Sequence, residues 1–300
     1  MGLRLVKNYE LTPVQEFYNN LLQSDQGSSA EGYTGDVVRF IDWFGRHSQF
    51  TPQAVSTLDL VEYRTWMQKE GSTGTGLAPT TVNRNLNSLK SFFKFCHRRG
   101  YITYDPAKDI KLVTKSKKVA PKWLLRTEQS ALVRAVKEAE NLRDEAVVVV
   151  LLHTGLRISE LSESRWCNVE INPRSGKIRV IGKGNKYREV PLNATARKIL
   201  SIWAEKSQHT DQDYVFPGQN GALKVRSLFN IVTKYAYIAR LQNVTPHTLR
   251  HTFCKNALDM GMPLTELAMI VGHSTLEVTR IYTVPSESDL QGSVEKMAWE

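Results

Sequence analysis

Cysteine is scarce in this sequence. Only three cysteines occur among 300 residues, and they lie far apart, at Cys96, Cys167 and Cys254. An odd number of widely spaced cysteines does not predict a disulfide framework. We therefore expect reduced thiols, as in a cytoplasmic protein.

Long hydrophobic runs are also absent. The longest apolar stretch, Ala146 to Leu152, is far shorter than the roughly 20 residues that a membrane-spanning helix needs, and the N-terminus has no signal-peptide core. These absences argue against a membrane or secreted protein and favour the cytoplasm.

Acidic residues are outnumbered by basic ones. The chain carries 40 lysines and arginines against 30 aspartates and glutamates, a formal net charge of +10 with a sequence pI near 9.4. This excess favours a polyanionic partner, which nucleic acid, ribosomes and anionic membranes all provide. A length of 300 residues with 41% hydrophobic residues predicts two globular domains of ordinary size.

The first third of the chain has helical periodicity. Helices are predicted over 11–24, around 37–44, over 58–70 with Thr57 as N-cap, and from Pro79 to about Arg99. The last helix has one apolar face and one polar, basic face. The polar face comprises Arg84, Asn87, Lys90, Ser91, Lys94 and Arg98. A charged helix face is often only solvated, but the bunching of positive charge favours contact with DNA.

Residues 113–122 show little periodicity and are predicted to be an extended linker. They include Lys115, Lys117 and Lys118, which we predict to contact DNA. At about 3.3 Å per residue, such a segment spans roughly 30 Å, enough to cross the major groove. Two domains joined in this way can clasp a duplex.

Two patterns stand out in the next part of the chain. Thr-Gly-Leu-Arg-Ile-Ser-Glu-Leu at 154–161 places Arg157 after a glycine turn, with Glu160 close enough to contact it. This arrangement is most often a plain ion pair. From Lys177 to Pro191 the apolar period changes to two, which predicts a β-hairpin with Lys183 at its tip.

The stretch from Thr245 to Tyr282 carries the most chemistry. His247 and Arg250 share one helix face, and His273 and Tyr282 follow. Arginine, histidine and tyrosine together suggest chemistry on a phosphate, with tyrosine as nucleophile. Two other interpretations remain open. His247, His251 and Cys254 are possible zinc ligands, and residues 264–282 have the pattern of a helix-turn-helix that only reads DNA.

Taken in order, these motifs resemble the tyrosine recombinases, also called the phage integrase family. The motifs are Thr-Gly-x-Arg-x-x-Glu-Leu, a hairpin lysine, His-x-x-Arg, Gly-His and a tyrosine nine residues after that histidine. The short Xer-type and transposon-borne members are the most similar. The resemblance implies a mainly α fold with a small β-hairpin or sheet in the C-terminal domain, arranged as a two-domain DNA clamp. It implies a helical, SAM-like core-binding domain over 1–112, a catalytic domain over 123–285 and a tail helix over 286–300 for contact between protomers.

The resemblance also implies roles for individual residues. Arg157 and Arg250 are expected to hold the scissile phosphate and stabilise its transition state. His247 and His273 are expected to assist by hydrogen bonding and proton movement. Glu160 is expected to be a supporting residue that orients its neighbours.

The chemistry implied for Lys183 and Tyr282 is transesterification. Tyr282 attacks to leave a 3′-phosphotyrosine, and Lys183 protonates the departing 5′ oxygen. No metal, nucleotide or other cofactor is expected. The expected partner is double-stranded DNA with inverted-repeat core sites, bound by a homotetramer, with a related recombinase or accessory proteins as further partners. A type IB topoisomerase and a non-catalytic helix-turn-helix regulator remain as alternatives.

Overall fold

The computed structural model describes residues 12–24, 27–46, 48–71, 74–114, 121–181, 187–272, 282 and 294–295. The chain divides into two compact units, Met1–Lys118 and Val119–Glu300. This division falls within the predicted linker 113–122. The linker lysines at 115, 117 and 118 lie outside the described residues, so their predicted contact with DNA stays a prediction.

The described part of the first unit is helical. Its helices are α1 (Thr12–Leu22), α2 (Ala30–Phe44), α3 (Thr57–Lys69) and α4 (Pro79–Arg98). Apolar side chains at helical spacing meet in one core, where Phe40, Phe92 and Phe93 are completely buried. The N-cap of α3 is Ser56, not Thr57 as predicted, because Ser56 and Asp59 form a reciprocal capping box.

One carboxylate is buried within this aromatic core. Asp36 on α2 is 0% exposed. It accepts hydrogen bonds from Ser88 Oγ and Arg84 Nη1, both at 2.8 Å, and forms an ion pair with Arg39. A buried carboxylate is tolerated only when it is paired in this way. Asp36 therefore ties α2 to α4 and orients Arg84, whose side chain remains 49% exposed.

The second unit is built around a buried helix. Its helices are α5 (Arg126–Glu138), α6 (Leu142–Thr154), α7 (Ile158–Ser162), α8 (Ala194–Ser207), α9 (Val225–Ile238), α10 (Pro246–Asp259) and α11 (Leu264–Val271). The valine-rich run 146–152 lies in α6 and is almost fully buried beneath α5, α8, α9 and α10. Asn141 caps the start of α6, accepting from Asp144 N at 3.1 Å.

A three-stranded antiparallel sheet covers part of this core. Its strands are β1 (Val169–Ile171), β2 (Gly176–Ile181) and β3 (Tyr187–Pro191), in the order β1-β2-β3. β2 and β3 are the predicted hairpin, with Ile178 opposite Val190, and both of these side chains are buried. The hairpin tip, 182–186, lies outside the described residues, and with it the predicted position of Lys183. Two short strands, β4 (Pro217–Gly218) and β5 (Gly221–Ala222), form a second sheet.

This mainly helical architecture with small antiparallel sheets matches the predicted fold class. Among the described residues, no helix combines the length and the apolar character that a membrane crossing requires.

Candidate active site

The turn after α6 positions Arg157. Gly155 ends the helix in the left-handed conformation, with φ of 62°, and α7 begins directly after Arg157. A Cβ atom at Gly155 would lie 2.4 Å from Phe253 Cδ1 on α10, so the turn also requires glycine for space. The turn and α10 therefore pack closely, which brings Arg157 beside α10.

Glu160 is a buried carboxylate that receives four hydrogen bonds. The donors are Arg157 N at 2.7 Å, Arg157 Nη1 at 2.9 Å, Arg188 Nη1 at 2.7 Å and Arg188 Nη2 at 2.8 Å. Burial acts to raise the pKa of Glu160, but the hydrogen bonds and charges of Arg188 and Arg157 outweigh burial and lower this pKa. Glu160 is therefore ionised and holds both arginines, as predicted for Arg157.

Arg250 projects from α10 into the same region and is only 4% exposed. Its Nη1 donates to Gly155 O and its Nη2 to Val271 O, both at 2.6 Å. Burial, followed by the charge of Arg157, lowers the pKa of Arg250 to about 10, so the group stays protonated at neutral pH. Arg157 Nη2 donates to Gly272 O at 2.8 Å. Both arginines thus reach the C-terminal end of α11.

Tyr282 lies in an apolar cluster beside these arginines. Its side chain is 2% exposed and packs with Cys254 of α10 and with Leu267 and Val271 of α11. Its hydroxyl oxygen lies 2.5 Å from His251 Nδ1. Burial, followed by Cys254, raises the pKa of Tyr282 above its usual range. The phenol therefore remains protonated in this state and is a weak nucleophile until its proton is removed.

Two histidines flank this cluster on α10. Burial, followed by the charges of His247 and Arg250, lowers the pKa of His251 to about 4, so this imidazole is neutral at physiological pH. His247 lies one turn earlier and is exposed. Partial desolvation, followed by the charges of Arg250 and Arg157, also lowers the pKa of His247. A neutral, accessible imidazole can donate one hydrogen bond and accept another.

The structure thus brings together Arg157, Glu160, Arg250, His247 and Tyr282. His273 and Lys183 lie outside the described residues, and their roles stay predictions. Within the described ranges, no group of three histidine, cysteine or acidic side chains is placed to hold a metal ion. This observation does not favour the zinc interpretation of His247, His251 and Cys254.

Sequence reasoning missed two residues of this site. Arg188 donates two hydrogen bonds to the Glu160 carboxylate, and the sequence contains a signal for this contact. Arg188 shares strand parity with the buried Val190, and a charged residue at an inward position needs a partner. The sequence suggests His251 only as a zinc ligand, whereas the contact of His251 with Tyr282 joins residues 31 positions apart. No local pattern in the sequence indicates that contact.

The predicted DNA-contacting face of α4 lies in the first unit. Arg84, Asn87, Lys94 and Arg98 are exposed, and Lys90 and Ser91 are partly buried. The residues at 84, 87, 91, 94 and 98 recur at helical spacing and share one face. Lys90, Ser91 and Lys94 also line a cavity of about 710 Å³ together with residues 97, 103–105, 107 and 108. The described residues are thus available for contact, which is compatible with DNA binding and with a solvated face.

Two family models match this chain. The model of the phage integrase family matches residues 122–288, and the phage integrase N-terminal SAM-like domain matches residues 23–102. The chain belongs to the phage integrase family. This membership covers the whole region that carries the arginines and Tyr282.

Curated relatives of this phage integrase family member are named tyrosine recombinases. Tyrosine recombinase XerD of Pseudomonas putida is 31% identical over 272 residues, which cover 86% of this chain and 87% of the relative. Tyrosine recombinase XerC of Xanthomonas campestris pv. campestris is 30% identical over 278 residues, covering 91% and 84%. The predicted family and the predicted activity of a site-specific tyrosine recombinase are therefore confirmed.

A solved structure also shares the fold. XerH site-specific recombinase bound to palindromic difH substrate, in a post-cleavage complex, aligns with a TM-score of 0.73 at 20% identity. The alignment covers 89% of this chain and 79% of XerH. The predicted mainly α, two-domain fold of a tyrosine recombinase is therefore confirmed.

Proposed function

We propose that this recombinase cuts and rejoins duplex DNA through a covalent bond between Tyr282 and a 3′ phosphate. The observation that carries the proposal is the meeting of Tyr282 with two arginines at one helix end. Val271 packs against Tyr282 and accepts a hydrogen bond from Arg250, and the next residue accepts one from Arg157. A tyrosine beside two guanidinium groups suits a phosphodiester substrate.

The proposed reaction is a transesterification at phosphorus. A bond forms between Tyr282 Oη and phosphorus as the bond from phosphorus to the 5′ oxygen breaks. Arg157 and Arg250 hold the non-bridging oxygens and stabilise the charge that develops on them. His247 and His273 assist by hydrogen bonding and by proton movement, in which one of these imidazoles accepts the proton that Tyr282 releases. Lys183 donates the proton that the leaving 5′ oxygen needs.

Rejoining follows from the energy of the intermediate. The phosphotyrosine keeps a phosphoester bond in place of the one broken, so a different 5′ hydroxyl can attack it and release Tyr282. This exchange needs no nucleotide cofactor. Attack by a different 5′ hydroxyl distinguishes recombination from the relaxation of supercoils by a topoisomerase, which rejoins the original strand end.

The buried state of Tyr282 implies a step before cleavage. With 2% of its surface exposed, the hydroxyl is closed off from a phosphate in solution. We infer that DNA binding changes the contacts of Tyr282 with Cys254 and His251 before attack. The recombinase is then held with a protonated nucleophile when no DNA is bound.

The proposed substrate is double-stranded DNA with inverted-repeat core sites. The net charge of +10 and the exposed basic face of α4 support this proposal. The solved structures with this fold include XerH on difH and a lambda integrase dimer bound to a core site. We further propose domains over 1–112 and 123–285, the linker 113–122 between them, and assembly as a homotetramer on two DNA sites through the tail 286–300.

Tyr282→Phe tests the proposal because it removes one hydroxyl. The variant should bind duplex DNA as wild type does but form no SDS-resistant adduct with a nicked suicide substrate. Tyr237→Phe is a matched control, since Tyr237 lies in the same unit and is 84% exposed. An adduct formed by Tyr282→Phe would reject Tyr282 as the nucleophile, whereas duplex binding without any adduct in wild type would favour a non-catalytic regulator.

A further inference from the structure

Three arginines meet the last carbonyl groups of α11. The donor and acceptor pairs are Arg188 Nε with Ile270 O at 2.8 Å, Arg250 Nη2 with Val271 O at 2.6 Å, and Arg157 Nη2 with Gly272 O at 2.8 Å. Carbonyls at a helix C-terminus lack partners within the helix and carry its partial negative charge. Two of the three arginines form the proposed phosphate grip. The proposed reaction assigns no role to the third arginine, Arg188.

The guanidinium of Arg188 is mostly buried and is held by hydrogen bonds within the protein. Its side chain is 13% exposed, and both Nη atoms donate to the Glu160 carboxylate, at 2.7 and 2.8 Å. A Cβ atom at Gly272 would lie 3.0 Å from Arg188 Cζ, so the guanidinium packs directly against the backbone of Gly272 at the end of α11. Arg188 gives both Nη atoms to the Glu160 carboxylate, whereas Arg157 gives one Nη atom to it and Arg250 donates to neutral backbone carbonyls. This difference favours an action of Arg188 through its neighbours over one on a substrate.

Arg188 and Arg157 share the Glu160 carboxylate. Glu160 accepts from Arg157 N at 2.7 Å and from Arg157 Nη1 at 2.9 Å, with the same two oxygens that bind Arg188. Removing Arg188 would leave a buried carboxylate with half of its donors, and burial would then act to raise its pKa. Arg157 would lose the fixed carboxylate that sets the direction of its guanidinium.

We propose that Arg188 is a positioning residue for DNA cleavage, which fixes the guanidinium of Arg157 through Glu160 and through the carbonyl end of α11. The inference rests on the proposed role of Arg157 at the scissile phosphate. A displacement of about 1 Å in a reacting group can cost roughly 10²-fold in rate. Arg188 thus links strand β3, helix α7 and the C-terminal end of α11 around the site.

The test compares Arg188→Met with Arg179→Met in the full-length protein. Arg179 lies on the neighbouring strand β2, its side chain is 47% exposed, and its ion pairs are with Glu170 and Glu189 and not with Glu160, so it is a matched control for the substitution. Single-turnover cleavage is measured on two suicide substrates. One has an ordinary scissile phosphate. The other has a methylphosphonate at that position, which carries no negative charge, so its cleavage depends less on charge stabilisation by a guanidinium.

On the ordinary phosphate we expect Arg188→Met to cleave roughly 10²-fold more slowly than wild type, and Arg179→Met to stay within about threefold. On the methylphosphonate, the loss caused by Arg188→Met should shrink to within about tenfold, as should the loss caused by Arg157→Ala. A purely structural role would slow both substrates equally. Equal losses would overturn the proposal, as would an ordinary-phosphate rate matching that of Arg179→Met.

Arg188→Met leaves part of a buried ion pair unmatched, which destabilises the fold. If that variant does not fold, Arg188→Lys carries the same test, because it keeps a charge near Glu160 but loses the fork that reaches Ile270. Failure of the proposed function itself has a different signature. Wild type would then form no adduct on either substrate.

Discussion

Gly155→Ala probes the contact on which the arginine site depends. Gly155 adopts φ of +62°, and an L residue in this conformation costs about 1–2 kcal/mol. Its Cβ would lie 2.4 Å from Phe253 Cδ1, and overpacking of this kind adds about 1–3 kcal/mol. We therefore expect a loss of about 2–5 kcal/mol in the free energy of unfolding of the second unit.

Gly261→Ala separates the two contributions. Gly261 belongs to the same unit and has φ of +85°, but a Cβ there would meet nothing within 4 Å. It should show only the backbone cost. In differential scanning calorimetry, we expect the melting temperature of the second unit to be about 2–12 °C lower in Gly155→Ala than in Gly261→Ala. This range converts the overpacking cost at roughly 2–4 °C per kcal/mol.

The same variant should impair cleavage. Gly155 O accepts from Arg250 Nη1 at 2.6 Å, so a shifted turn displaces a proposed catalytic guanidinium. If the clash is the cause, Gly155→Ala should cost less stability in a Phe253→Ala background than in wild type, which a double-mutant cycle measures. Equal melting temperatures for Gly155→Ala and Gly261→Ala, or an undiminished cost of Gly155→Ala in the Phe253→Ala background, would refute the reasoning.

Arg157→Lys and Arg250→Lys keep the charge but lose the planar fork, and we expect single-turnover cleavage to fall roughly 10²–10³-fold; rates within a few-fold of wild type would indicate merely structural arginines. Alanine at three basic positions of α4 should weaken DNA binding and reduce the log–log salt slope by about one for each phosphate that is no longer bound. The positions are Lys90, Lys94 and Arg98. An unchanged slope would identify a solvated face. Deleting residues 286–300 should preserve binding to one half-site but reduce cooperative binding to paired half-sites in gel-shift titrations; undiminished cooperativity would argue against an interaction between protomers through the tail.

The sequence was most informative where one helix or turn contains the whole pattern. The two faces of α4 follow from helical spacing, and Leu86 and Phe93 are buried as that spacing predicts. The ion pair of Arg157 with Glu160 spans three residues and is also local. The hairpin strands follow from alternation with period two. These features depend on neighbouring residues, which a single sequence shows directly.

Features that depend on distant segments were missed or wrong. Helical spacing predicts Met260 on the apolar face of α10 together with Leu249 and Phe253, but the helix ends at Asp259 and Met260 is 75% exposed. Arg250 is buried because its acceptors come from positions 95 and 21 residues away. Charged groups enter a core only where the fold supplies such partners, and spacing along one helix does not show them. For Arg188, strand parity with Val190 indicates an inward position, but its partner Glu160 lies 28 residues away and spacing along the strand does not identify it.

The central claim is a covalent link between Tyr282 and DNA. Mass spectrometry of the trapped adduct, after nuclease and protease digestion, tests it directly. We predict one modified peptide, with a 3′-phosphate-linked nucleotide on Tyr282. A nucleotide on another residue, or DNA cleavage without a covalently modified peptide, would contradict the account.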